Sequence, residues 1–128
     1  MRMVRTGPYC RCVSNAPRLP RAARAVVPPE KLAGYVLDPD HPRGCHKARV
    51  FSATLAIGHA DWRYLQRQLV SGVLDAPVRA TRITPFGVLY DVLILVDGLN
   101  GATAPVATIW IVDGNRPPRL VSAWVDIP

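Results

Sequence analysis

Within the stretch from His41 to Arg49, the side chains of His41, His46, Lys47 and Arg49 supply two imidazoles, an ammonium and a guanidinium. Imidazole is the side chain that gains and loses a proton near neutrality, and a fixed cation neutralises anionic charge. Together these groups match the needs of RNA cleavage without a metal. One group must take the 2′-hydroxyl proton, a second must protonate the departing 5′-oxygen, and a cation must offset the charge on the phosphorane. His46, Lys47 and His41 are therefore the candidate catalytic residues, with His46 as base or acid and His41 assisting. Arg49, Arg119 and Ser122 are the candidate substrate-binding residues, with Lys47 also on the phosphate. Thr81, Tyr90 and Thr108 are further sheet residues able to complete such a site. Gly44 would let a phosphate or a backbone come close. The reading requires these side chains to share one hollow.

The same residues admit a plainer account. Asp38-Pro39-Asp40-His41-Pro42 is good turn chemistry with His41 merely exposed, and Lys47 and Arg49 suit the polar face of an amphipathic helix. Cations in a first helical turn oppose the helix dipole by about 0.3–1 kcal/mol, so they either cost stability or serve an anion. His59, after Gly58, reads as structural. Tyr90, Trp110 and Trp124 read as core or sheet-face residues, with the two tryptophans paired across adjacent strands. Exposed on an open face, they would instead stack on RNA bases.

The elements that must position these groups follow from periodicity. Pro28 and Pro29 open a helix with Leu32, Tyr35 and Val36 on one face, ending by Leu37 before Asp38-Pro39. A second helix is predicted from Cys45 to Ala56, with Ala48, Phe51 and Leu55 toward the core, His46, Arg49 and Ala53 on another face, and Lys47 on a flank. A third runs from Asp61, as N-cap, to Val70, with Trp62, Leu65 and Leu69 as its apolar stripe. The period then shifts from 3.6 to 2. Strands are predicted over Val78–Thr84, Val88–Val96, Val106–Val112 and Leu120–Val125, separated by turn-forming runs such as Asp97-Gly98-Leu99-Asn100-Gly101. The expected architecture is α+β: two to three N-terminal helices packed on a four-stranded antiparallel meander.

The chain has 128 residues, enough for one domain with its own core. Its hydrophobic content of 49% excludes a disordered chain, and no apolar run is long enough to span a membrane. The net charge of +7 is unevenly placed. Residues 1–24 carry six arginines and no acid, whereas the other ten Lys and Arg stand against nine Asp and Glu, net +1. Residues 1–27 read as a disordered basic leader, a solvated tail or else a phosphate-binding arm, with the domain spanning 28–128. Cys10, Cys12 and Cys45 are odd in number and form no metal-ligand spacing. They predict free thiols, no metal or other cofactor, and a reducing, cytoplasmic compartment.

Lys31-Leu32, Tyr35, Leu37, His41-Pro42, Gly44, His46-Lys47-Ala48 and Phe51 spell KLxxYxLxxxHPxGxHKAxxF. This pattern resembles the opening of the bacterial DUF6883 family, and Pro118–Trp124 resembles the family's last strand. The likeness spans about residues 29–125. Two places depart from it: Cys45 stands where a basic residue is expected, and Ser122-Ala123-Trp124 where Thr-Ala-Tyr is usual. The resemblance implies a bacterial toxin or toxin–immunity setting. The layout is similar to that of the colicin and RelE-type ribonuclease toxins, which work without metal.

Two readings of function follow. One is a ribonuclease-like toxin domain acting on RNA. The other is a non-catalytic interaction module of a two-gene pair, bound to a small immunity- or antitoxin-like protein. A nucleic-acid binder relying on the arginine leader is a third. None involves a membrane.

Overall fold

The structure is a computed structural model, and it describes residues 17–127. It bears out the expected α+β architecture. Helix α1 is a turn over Pro29–Lys31 that widens into a π turn over Leu32–Val36. Helix α2 spans Cys45–Leu55 and α3 spans Trp62–Gly72. Strands β1 (Val78–Thr84), β2 (Gly87–Asp97), β3 (Thr103–Val112) and β4 (Arg119–Val125) form one antiparallel sheet in chain order. Among the described residues, no helix is long and apolar enough to cross a membrane.

Alternation along the strands sorts the sheet into two faces. Val92, Ile94 and Val96 of β2, Val106, Thr108, Trp110 and Val112 of β3, and Leu120, Ala123 and Val125 of β4 are buried. With them pack Leu32, Val36, Phe51, Leu55, Leu65, Leu69 and Val73 from the helices. Thr108 is the one buried polar side chain among the described residues, and it is fully used. Its hydroxyl donates to the Val92 carbonyl (2.6 Å) and accepts the Trp110 indole N–H (2.7 Å). Thr108 is thus held in the core, away from any solvent-facing site.

The ladder between β3 and β4 slips between Ile109 and Trp110, so that Ser122 faces Ile109 while Leu120 faces Trp110. Val121 is the extra residue of this bulge, which keeps Leu120 and Ala123 both buried. The same register sets Trp124 opposite Ala107. Trp110 and Trp124 therefore do not pair across the strands, contrary to the expectation. Trp110 is in the core, and Trp124 lies half-buried beside α2.

The domain begins earlier than residue 28. Leu19 and Val27 are buried, Pro17 accepts the Val78 N–H (2.8 Å), and Val26 exchanges hydrogen bonds with Pro118 and Leu120 (2.8 and 2.9 Å). The leader expected over 1–27 is corrected for residues 17–27, which seal the edge of β4 and the start of β1. Leu19 stands alone between Arg18 and Pro20, and Ala25-Val26-Val27 is too short a run to show a period, so neither is legible as core in the sequence. Residues 1–16, including Cys10 and Cys12, lie outside the described residues.

Asp61 also behaves differently from the expected N-cap of α3. Its carboxylate reaches back to the Gly58 N–H (2.9 Å) and closes the short turn His59–Asp61, with no side-chain bond to the first turn of α3.

Candidate functional site

Helix α1 and helix α2 meet at Tyr35 and Gly44. A side chain at Gly44 would run into the Tyr35 carbonyl and ring, so only glycine allows this contact. Between the two helices, His41 turns its Nδ1 to the start of α2 and accepts the N–H groups of Arg43 and Gly44, both at 3.0 Å. That nitrogen is an acceptor, so the ring proton sits on Nε2. His41 thus takes up free N–H groups before the first turn of α2, while its ring stands edge-on against Tyr35 with centroids 4.9 Å apart.

From α2, Lys47 donates to the Tyr35 hydroxyl (3.0 Å), with its ammonium 4.9 Å from the ring centre. This bond holds the phenol below its ordinary pKa, with partial burial opposing and the Lys47 charge, the nearby Ser122 hydroxyl and the Arg43 charge assisting. Tyr35, His41, Lys47 and Ser122 are therefore brought together from α1, the following loop, α2 and β4. Tyr35 was not among the residues singled out for chemistry. Its place in the apolar stripe with Leu32 and Val36 marks it as core, and its ring does pack there. The hydroxyl is what reaches the cluster, and periodicity cannot distinguish the two ends of a tyrosine.

The outer surface of α2 is divided by its buried ridge of Ala48, Phe51 and Leu55. On one flank, His46, Lys47 and Val50 line a groove of ≈ 470 Å³ against Trp124 and Val125 of β4. On the other, Arg49 lines a second hollow of ≈ 460 Å³ with Cys45, Ser52, Ala53 and His59. His46 and Arg49 are both exposed on the outward side of α2, as expected, but line different hollows. Arg119 lies in a third hollow with Phe86, Asp113 and Arg116. Thr81 and Tyr90 line a fourth, on β1 and β2, with Arg82 and Asp91. Of the residues predicted from sequence, the structure brings His41, His46, Lys47 and Ser122 to one region and leaves Arg49, Arg119, Thr81, Tyr90 and Thr108 outside it.

His46 is solvent-exposed, and its imidazole has no hydrogen-bond partner among the described residues. Chemically, the region offers a free imidazole, an ammonium ion, a phenol biased toward its charged form, and a hydroxyl. These are proton-transfer and anion-binding groups. Among the described residues, no three His, Cys, Asp or Glu side chains come together in a metal-binding arrangement.

The model of a family described as "Domain of unknown function (DUF6883)" matches residues 18–127. No curated protein matches the sequence. Among solved structures, the fold is similar to a chain from the "Contact-dependent growth inhibition toxin - immunity protein complex from Klebsiella pneumoniae 342". The TM-score is 0.67 at 10% identity, covering 79% of this chain and 99% of the other. At that identity the likeness establishes a common fold.

Proposed function

This chain belongs to the DUF6883 family, and on that premise we propose that it is a toxin-type domain that cleaves RNA in the cytoplasm by transesterification, without a metal. The carrying observation is the placement of Lys47, bonded to the Tyr35 phenol and sharing a groove with His46, whose imidazole has no hydrogen-bond partner among the described residues. The similarity in fold to a chain of a toxin–immunity complex supports the toxin setting.

In this reading the 2′-oxygen attacks the neighbouring phosphorus and the bond to the 5′-oxygen breaks. The products are a 2′,3′-cyclic phosphate and a 5′-hydroxyl. His46 and Tyr35 are the two proton-transfer groups, since one proton must leave the 2′-hydroxyl and one must reach the 5′-oxygen. Lys47 neutralises the phosphorane and biases Tyr35 toward its charged form. Ser122 orients the phenol, and His41 positions the start of α2 through its two backbone bonds.

The test is incubation of the purified protein with end-labelled tRNA in EDTA. The wild type cleaves, and His46→Ala lowers the rate by about 10²–10⁴-fold, the usual worth of a proton-transfer group. Intact RNA of every class after incubation with the wild type contradicts the reading.

A second reading, a non-catalytic partner-binding module, draws on different residues. Ile83 and Phe86 are 86% and 77% exposed at the end of β1 and in the turn after it, and large apolar side chains in solvent mark interaction surfaces. An immunity-type protein seated there is compatible with either reading, and the tRNA assay separates them.

A further inference from the structure

We infer that the groove between α2 and β4 takes the base of one unpaired ribonucleotide, stacked on the Trp124 indole, with its phosphate at His46 and Lys47. The inference rests on the RNA-cleaving reading and adds the substrate class to it: single-stranded or looped RNA.

Three observations carry it. The groove is two-natured. Val50, Trp124 and Val125 make its apolar wall, and His46 and Lys47 supply its cationic or protonatable groups. A nucleotide has the same division, with a flat apolar face at one end and an anion at the other. The volume of ≈ 470 Å³ falls within the roughly 300–1,000 Å³ of small-ligand sites.

Trp124 also differs from the other tryptophans. Trp110 is fully buried with its N–H bonded to Thr108, and the Trp62 ring is covered by the Arg63 guanidinium at 4.6 Å. Trp124 is half-buried, and its N–H has no partner among the described residues. Indole N–H groups usually find a partner when buried, so a half-open indole with a free donor is suited to a ligand.

Lys47, finally, belongs both to the groove and to the Tyr35 cluster. A base on Trp124 therefore places its own phosphate beside the groups assigned to the chemistry. A paired base cannot enter, because both of its faces are stacked within the duplex, and A-form RNA hides its bases in a deep, narrow major groove. The apolar wall offers little to read a base edge, so the site selects unpaired nucleotides with weak preference among the four bases.

The experiment measures binding of a fluorescein-labelled, 2′-O-methyl oligoribonucleotide, which cannot be cut, by fluorescence anisotropy. Three probes are used with the wild-type full chain: the single strand, the same strand fully duplexed, and a strand of the same length with every base removed. Cleavage of the unmodified strand is followed in parallel. The single strand binds more tightly than the duplex, and the abasic strand binds about 5- to 150-fold more weakly than the intact one, the loss of one base–aromatic stack. Trp124→Ala gives a similar loss on the intact strand and makes the protein insensitive to removal of the bases, whereas Trp124→Phe keeps most of the affinity. The abasic strand needs no variant, so the test stands even where Trp124→Ala fails to fold. Equal binding of intact, abasic and duplex probes, with the unmodified strand still cut, overturns the base site alone. No binding and no cleavage of any RNA overturns both this inference and the reading beneath it.

Discussion

At the scale of single residues, Lys47 decides the character of the region. Its ammonium lies 3.0 Å from the Tyr35 oxygen, and the phenol is lowered first by that bond. Replacing Lys47 with Met should raise the Tyr35 pKa, seen as an upward shift of one phenolate absorbance titration against a Tyr35→Phe control. The sign for stability follows. The folded pKa lies below the unfolded value near 10.0, so between the two the unfolded chain holds a proton that the native state has released. The stability advantage of wild type over Tyr35→Phe should therefore grow as pH rises through the folded pKa toward 10, and shrink as pH falls below it. Urea unfolding of both proteins at neutral and alkaline pH measures this. The candidate site was only half legible at this scale. Residue type and proximity in sequence pointed to His41, His46 and Lys47. Arg49 lines a different hollow from His46 and Lys47, one it shares with Cys45 and His59. Tyr35 was missed because its ring satisfies the core pattern while its hydroxyl serves the cluster.

At the scale of elements, the start and the end of α2 are closed in different ways. At its start, Gly44 sits against the Tyr35 backbone. Gly44→Ala should cost about 1–3 kcal/mol by overpacking, measured by denaturant unfolding, and should separate Lys47 from Tyr35. At its end, Ala56 adopts the left-handed conformation (φ 56°) in which its N–H and that of Ile57 bond back to Ser52 and Phe51. Glycine closes helices this way without a Cβ penalty, so Ala56→Gly should stabilise by roughly 0.5–1 kcal/mol, read as a higher Tm. The helices and strands were legible because their periods are regular, and their order led directly to the meander. The bulge at Val121 was not, because it is set by which residues of β3 and β4 can be buried together. Without it Trp124 would stand opposite Val106; with it Trp124 stands opposite Ala107 and lines the groove with α2.

At the scale of the whole molecule, the basic N-terminal region is not uniform. Residues 17–27 belong to the fold, with Leu19 and Val27 in the core and Gln66 donating to the Val27 carbonyl (2.8 Å). Removing residues 1–27 should cost about 3–6 kcal/mol, the burial of two aliphatic side chains, and urea unfolding would show it as a lower midpoint. The molecule then has two surfaces of different chemistry. The α2–β4 side carries the proton-transfer groups and the groove, and the turn between β1 and β2 carries exposed Ile83 and Phe86. The most direct measurement of the central claim is the rate at which wild type and Lys47→Met cut a single-stranded RNA in EDTA, with thermal melting of both proteins as a control. The account predicts a fall of about 10²–10³-fold, the worth of one preorganised charge donor, with the folded state retained. Equal rates in two equally folded proteins would contradict it.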